Sequence, residues 1–159
     1  TLTGQNLGAG KPERIRDLFK WGIIITSSMT IFISLFVVLL SKPILAMFGL
    51  GNDANVIEIG RTYLYVVGPC YVFFSIMFLS NGIINGAGHT IITMVFTYVS
   101  IWLIRVPFSL LLSKSQVGIT CIWVAVSMSF IITMMVSLGY YLSGRWKKSP
   151  NVQPTGTPV

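Results

Sequence analysis

Charged side chains are scarce in this sequence. Its 159 residues include 11 Lys and Arg, four Asp and Glu and one His, so only 9% are charged, whereas soluble domains average about a quarter. The acids all lie outside the apolar runs, no nucleophile has a base and an orienting partner, and Cys70 and Cys121 form neither a metal-binding spacing nor a disulfide framework. We therefore expect no catalytic residues, no metal site and no resident cofactor.

The sequence is correspondingly rich in apolar residues. They make up 53% of the chain, and the mean hydropathy is +0.79. A small soluble domain cannot bury so much apolar surface, but a lipid bilayer can solvate it. A membrane span needs roughly 20 apolar residues in a helix, and four stretches qualify: about 21–40, 62–84, 91–112 and 118–142.

These spans are predicted to be helices. Lipid offers the backbone no hydrogen-bond partner, so a span must be a helix or join a closed barrel, and the ten-residue alternation of barrel strands is missing. The sequence therefore predicts an all-α, polytopic membrane helix bundle with four transmembrane helices at residues 21–142. Residues 143–159 are predicted to form a basic, disordered tail. Because residue 1 is Thr and no signal peptide precedes it, we expect a fragment of a longer protein.

Basic residues cluster at the ends of the spans rather than along a nucleic-acid-binding surface. Seven of the 11 lie before the first span or after the fourth, on one side of the predicted membrane: Lys11, Arg14, Arg16, Lys20, Arg145, Lys147 and Lys148. The opposite side carries Lys42, Arg61 and Lys114. By the positive-inside rule, both ends face the cytoplasm of a multi-pass plasma-membrane protein whose partner is the bilayer, and nucleic acid is excluded.

The stretch GQNLGAGKPER at residues 4–14 is not a phosphate-binding loop. Such a loop needs Gly where Gln5 stands and Ser or Thr where Pro12 stands. Its glycines, Gly4, Gly8 and Gly10, instead predict the end of one helix, with the next beginning at Pro12, and the Gln5 and Asn6 amides suit a helix cap. The residues up to 20 predict an amphipathic lead-in along the cytoplasmic membrane surface.

A family resemblance follows from several motifs taken together. GQNLGAGKPERIR at 4–16, SNGIINGAGHT at 80–90 and RVP at 105–107 occur in an order and spacing that resembles the multidrug and toxic compound extrusion (MATE) transporters. The second motif departs from the family's usual RGAGDT at Asn85 and His89, while Gly86 and Gly88 are retained. The resemblance covers about residues 4–145.

The resemblance implies a twelve-helix antiporter with two lobes, of which this chain is the carboxy-terminal part, helices nine to twelve. Such proteins export amphipathic organic cations in exchange for Na⁺ or H⁺. In one branch of the family, an acidic residue in the helix that corresponds to the second span binds the coupling cation. The second span here has no such residue, and in this respect the chain resembles the DNA-damage-inducible branch. The coupling site is then expected in the missing amino-terminal lobe, a further partner of this chain.

Arg105 is the single charge within the predicted spans. A charge in a span is costly and normally faces protein or water. Two interpretations stay open: Arg105 is structural, reaching the outer interface or satisfying carbonyls near Pro107, or it takes part in gating or substrate passage. Pro107 itself removes the hydrogen bond to the Leu103 carbonyl.

The second span contains the other candidate residues. Pro69 is predicted to kink the helix, either as a hinge or as a static bend. Residues suited to a cavity for apolar cations recur every fourth position: Tyr65, Pro69, Phe73, Met77, Asn81 and Asn85. A core role is the alternative, with Asn81 in need of polar partners. His89 is expected to be solvated in the following turn.

Two other functions stay open. A lipid-linked oligosaccharide flippase shares the two-lobe architecture, although one Arg in four spans is a weak cationic lining for a pyrophosphate. A non-transporting membrane subunit is the third hypothesis.

Overall fold

The computed structural model describes residues 1–47, 54–113 and 120–147, and the regular elements within them are helical. The α-helices are α1 (Leu2–Gly8), α2 (Glu13–Leu39), α3 (Ser41–Leu45), α4 (Ala54–Val67), α5 (Tyr71–Gly86), α6 (Thr90–Tyr98), α7 (Val106–Ser113) and α8 (Thr120–Leu142). A π-helical segment, Val99–Arg105, joins α6 to α7, and a 3-10 turn spans Arg145–Lys147. The prediction of an all-α membrane helix bundle is confirmed. Residues 114–119, between the third and fourth helical regions, and the predicted tail beyond Lys147 lie outside the described residues.

Within the described residues, three helices are long and apolar enough to cross a membrane, namely Glu13–Leu39, Thr90–Leu111 and Ile122–Leu142. The fourth candidate is a pair of helices, Asn55–Val67 and Tyr71–Gly86, that pass the same test together but are bent by 52° at the break between them. The four apolar runs of the sequence therefore correspond to three long helices and one bent pair.

The bend lies at the predicted position. Pro69 has no backbone N–H and cannot continue the hydrogen bonding of α4. Gly68 is buried, and a Cβ atom there would come within 2.3 Å of the Leu64 carbonyl oxygen. The helix α4 begins at Ala54, before the predicted start of this span at about residue 62. The stretch between the first two predicted spans is helical at both ends, in α3 and α4.

A hydrophobic core lies at one end of the bundle, where α2 begins and α8 ends. Ile15 and Phe19 of α2 pack there with Ile84 of α5, Tyr141 of α8 and Trp146 of the 3-10 turn. The rings of Phe19 and Tyr141 have centroids 4.0 Å apart. The start of the first span and the end of the fourth therefore lie on the same side, as an even number of spans requires.

This core corrects two predictions. The lead-in before residue 21 is not a separate helix, because α2 runs unbroken from Glu13, and its apolar face is buried against protein instead of lying along the membrane surface. The tail predicted from residue 143 is ordered at its start: Trp146 is 1% exposed and its Nε1 donates to the Tyr141 carbonyl at 2.7 Å. Burial of the indole with a satisfied N–H holds this turn in place.

Candidate functional site

A groove of about 670 Å³ separates α5 from α6 and the π segment. It combines aromatic and methionine side chains with amides and hydroxyls. The lining residues are Phe74, Met77, Phe78, Asn81, Gly82, Asn85, Thr90, Thr93, Met94, Thr97, Tyr98, Ile101 and Trp102. Polar groups within membrane-spanning helices normally meet protein or water, so this groove is the candidate functional site.

The turn between α5 and α6 sets one end of the groove. Gly88 has a φ of 91°, and the N–H groups of Gly88 and His89 donate to the carbonyls of Asn85 and Ile84 at 2.9 and 3.1 Å. This is a Schellman motif, which requires the left-handed conformation that Gly adopts without strain. The turn reverses the chain so that the Thr93 hydroxyl of α6 donates to Asn85 Oδ1 of α5.

The first glycine-rich stretch repeats this motif. After α1 ends at Gly8, Gly10 has a φ of 68°, and the N–H groups of Gly10 and Lys11 donate to the carbonyls of Leu7 and Asn6 at 3.0 and 2.9 Å. Pro12 then stands immediately before α2, as predicted. Both GAG sequences therefore end a helix and turn the chain.

The remaining family-motif residues bring α1 onto α5. A Cβ atom at Gly86 would lie 2.8 Å from the Thr3 Cβ, and one at Gly4 would lie 3.2 Å from the Gly86 carbonyl oxygen, so the two backbones need glycine at this crossing. Gln5 is exposed, and Asn6 donates to the Leu2 carbonyl at 2.8 Å. His89 is half-buried beside Tyr140, and its Nε2 is enclosed without a hydrogen-bond partner among the described residues, so the predicted solvation is wrong.

Three buried hydroxyls on α8 connect it to its neighbours. Ser129, Thr133 and Ser137 are four residues apart, and each is less than 5% exposed. The Ser129 oxygen accepts from Arg105 Nε at 3.2 Å, Thr133 bonds to Ser100, and Ser137 donates to Asn81 Oδ1. These contacts, which we call the α8 hydroxyl ladder, tie both walls of the groove to one helix.

The π segment explains how two of these contacts form. Ser100 and Arg105 are five residues apart, which in an α-helix would place them about 140° apart. In a π-helix each residue is hydrogen-bonded to the fifth one along, so Ser100 and Arg105 fall on the same face. There they meet Thr133 and Ser129 of α8, which are four residues apart. Pro107 is the second residue of α7, and a π turn is one way for a membrane helix to accommodate the hydrogen bond that proline lacks.

Arg105 points into the protein. Besides the bond to Ser129, its guanidinium lies 5.3 Å from the centroid of the Phe130 ring, a cation–π contact. Phe130 packs against Phe74 at 5.2 Å, and Phe74 lines the groove. Arg105 is half-buried and contacts α8, and the two interpretations, a structural role or a role in gating or substrate passage, stay predictions. Pro107 is exposed on the same helix.

The predicted stripe on the second span divides in two. Met77, Asn81 and Asn85 line the groove, but Tyr65, Pro69 and Phe73 do not. A spacing of four drifts by about 40° at each step, and the 52° bend turns α4 away.

The three remaining stripe residues have other surroundings. Tyr65 lies under the Arg61 guanidinium at 5.6 Å. Pro69 borders a separate cavity of about 260 Å³ against α2, and Phe73 is half-buried.

Sequence reasoning missed the opposite wall of the groove. Thr90, Thr93 and Thr97 occur at helical spacing on α6, and Trp102 follows on the π segment. The spacing of the threonines was a usable signal. Ser100 was not predictable in the same way, since its position depends on the π turn.

The apolar helices, the α8 hydroxyl ladder and the polar groove define a polytopic helical membrane protein. Comparison with known proteins specifies the family: the MatE family model matches residues 1–111. The chain belongs to this family, the MATE transporters. The assignment to the DNA-damage-inducible branch stays a prediction.

Two similar proteins are named as probable multidrug resistance proteins. The chain is 28% identical over 149 residues to the probable multidrug resistance protein NorM of Thermotoga maritima, covering 93% of this chain and 32% of the relative. It is 30% identical over 147 residues to the probable multidrug resistance protein YpnP of Bacillus subtilis, covering 92% of this chain and 32% of that protein. The chain thus spans about a third of the length of these relatives. No solved structure gives a significant match.

Proposed function

We propose that this chain forms one wall of the export pathway of a multidrug efflux antiporter. Its relatives are named probable multidrug resistance proteins. The observation that carries the proposal is the groove between α5 and α6, where amides and hydroxyls stand among aromatic rings on an otherwise apolar surface. Polar groups in such a position need water or a ligand. Aromatic and methionine side chains accept varied apolar ligands because they offer large, adaptable surfaces.

Alternating access is the proposed mechanism, in which this part of the protein moves against the remainder, its amino-terminal lobe. The bent pair α4–α5 supports it, because helices broken near the membrane midplane serve as hinges in transporters. The α8 hydroxyl ladder holds the groove walls to one helix, so they are expected to move together.

Export is proposed to be driven by Na⁺ or H⁺ entering the cell across the plasma membrane. Among the described residues, the groove is lined by no Asp or Glu, and a coupling cation needs an acidic partner in the membrane. The coupling carboxylate is therefore assigned to the rest of the protein. Both ends of this chain are placed in the cytoplasm by the positive-inside rule.

An accumulation assay tests the proposal. The protein in its full natural length is expressed in a bacterial host that lacks its own drug exporters, and ethidium fluorescence is followed in energised cells. We expect lower ethidium accumulation than in cells with empty vector, with the difference abolished by a protonophore or by a sodium ionophore. Equal accumulation with the protein present in the membrane would overturn the proposal, and loss of a surface polysaccharide on gene deletion would favour a flippase instead.

A further inference from the structure

A second pocket, of about 530 Å³, lies between the start of α2 and the end of α8 and shares no lining residue with the groove. We call it the α2–α8 pocket. Its buried lining residues are Phe19 and Tyr141, which are 8% and 7% exposed, so their rings form its floor. Leu142 completes the apolar part of the lining. The remaining lining residues are charged and exposed: Glu13, Arg16, Asp17 and Lys20.

The α2–α8 pocket lies where the apolar stretches of both helices end. Lys20 is followed by residues 21–41, which carry no charge, and Leu142 is the last residue of the apolar helix α8. Trp21, next to Lys20, is 63% exposed, and Trp is enriched at the boundary between hydrocarbon and lipid head groups. The pocket therefore faces the head-group layer, whichever side of the membrane this end occupies.

The four charges of the pocket form two columns on α2. Arg16 and Lys20 are one helical turn apart, as are Glu13 and Asp17, and like charges at this spacing repel each other. Within the part of the chain that the structure describes, no ion pair joins either acid to either base. The midpoint of the two bases lies three residues, or about 4.5 Å along the axis, nearer the apolar stretch than the midpoint of the two acids.

This polarity selects one kind of phospholipid head group. The bases suit a phosphate next to the hydrocarbon, and the acids suit an ammonium group farther out, each through charge-assisted hydrogen bonds. In phosphatidylethanolamine the phosphate is attached to the glycerol and the primary ammonium lies beyond it. Phosphatidylcholine has no N–H to donate to the acids, and phosphatidylglycerol has no cationic group to place against them.

The surface of α2 next to the pocket suits the acyl chains of such a lipid. Ile24 and Ile31 follow Lys20 by four and eleven residues, spacings that keep them on one face of a helix. They are 48% and 54% exposed. Basic pockets between transmembrane helices are a recurrent form of lipid head-group site. Head group and chains of one lipid molecule thus find matching surfaces on the same face.

We propose that the α2–α8 pocket binds phosphatidylethanolamine, with Arg16 and Lys20 holding its phosphate and Glu13 and Asp17 holding its ammonium group. The inference goes beyond the proposed function, because it concerns a lipid that surrounds the protein and not the molecule that is exported.

Native mass spectrometry measures the binding directly. The purified full-length protein in detergent is titrated with phosphatidylethanolamine, phosphatidylcholine and phosphatidylglycerol of identical acyl chains, so that chain contacts cancel in the comparison. We expect the first lipid to bind roughly tenfold more tightly than the second, as the loss of hydrogen bonds to charged groups predicts. We expect phosphatidylglycerol to bind more weakly than phosphatidylethanolamine as well.

Two double variants assign the two ends of the head group. Glu13→Gln with Asp17→Asn keeps the shapes of both side chains but removes their charges, and is expected to lower the affinity for phosphatidylethanolamine to that for phosphatidylcholine. Arg16→Gln with Lys20→Gln is expected to weaken both lipids roughly tenfold or more, because both have the phosphate. All four side chains are exposed, so the fold is expected to be retained, which circular dichroism checks.

Matched controls change the same charges outside the pocket. Arg14 of α2 and Glu58 of α4 are exposed and do not line it. Arg14→Gln and Glu58→Gln are therefore expected to leave the affinities for all three lipids unchanged.

Each outcome bears on the proposal. A preference for phosphatidylethanolamine that only the Glu13→Gln, Asp17→Asn variant abolishes supports it. Equal affinities for phosphatidylethanolamine and phosphatidylcholine in the wild type, a preference that survives in that variant, or phosphatidylglycerol bound as tightly as phosphatidylethanolamine overturns it. Lipid selectivity as predicted without any drug export would leave the pocket assignment standing and refute the proposed function alone.

Discussion

Helices α2 and α8 look alike in sequence and have opposite surroundings. Their apolar stretches have mean hydropathies of 2.3 and 2.0, yet no residue of that stretch is buried in α2, against 28% in α8. Both carry hydroxyls at every fourth position: Thr26, Thr30 and Ser34 in α2, and Ser129, Thr133 and Ser137 in α8.

The hydroxyls of the two helices are used differently. In α2, Thr26 and Thr30 donate back to the carbonyls of Gly22 and Thr26, at 2.8 and 2.7 Å. In α8, Ser129 and Thr133 also donate back, to the carbonyls of Val126 and Ser129, both at 2.6 Å. The α8 hydroxyl ladder in addition reaches Arg105, Ser100 and Asn81 on other helices. A hydroxyl stripe becomes a helix–helix contact only when the facing helix presents a polar partner. Hydropathy and spacing alone do not distinguish a lipid-facing helix from a central one.

Replacing one serine on each helix by leucine tests the difference between α2 and α8 most strongly. Ser137→Leu inserts a bulky side chain at a fully buried position and removes the hydroxyl that donates to Asn81. We expect a loss of about 3 kcal/mol in unfolding free energy, measured by SDS titration in mixed micelles. Ser28→Leu, on an exposed face of α2, is expected to have little effect, and equal losses would contradict the contrast.

Phenylalanine truncations give the next largest effect. Phe130 is 9% exposed and contacts Phe74, Tyr71 and the Arg105 guanidinium. Phe130→Leu is expected to cost about 1.5 kcal/mol through lost ring pairs and the cation–π contact. Phe32→Leu, at a ring 72% exposed on α2, is the matched control and is expected to leave the same SDS titration unchanged. A shift as large as that of Phe130→Leu would mean that Phe32 is covered by protein.

The smallest effect concerns the hydroxyls themselves. Thr133→Val keeps the shape but removes both the bond to Ser100 and the bond to the Ser129 carbonyl within α8. Interhelical hydrogen bonds in membranes average about 0.6 kcal/mol. Thr30→Val loses only a bond within its own helix and is expected to cost less. A double-mutant cycle with Ser100→Ala isolates the contact, and additive losses in that cycle would show that Thr133 and Ser100 do not interact.

The sequence predicted the features that depend on local chemistry. The apolar runs, the bend at Pro69 and the glycine turn before His89 each follow from one kind of residue in one place. The partners of Arg105 were not predictable, because they require knowing which face of α8 meets the π segment. Likewise, the lead-in at Ile15 and Phe19 has the pattern of a surface helix, and only the position of Tyr141 shows that protein covers it.

The π segment also changes the helical phase of its span. Bonding to the fifth residue takes one residue more per turn than an α-helix, so side chains after Arg105 are rotated by about 100° from where an unbroken α-helix would place them. The side-chain directions of α6 and α7 therefore follow two different helical phases within the third span. A helical wheel drawn through Thr90–Leu111 in a single phase assigns α7 to the wrong side, and removing one residue from the π segment would bring the two phases into register.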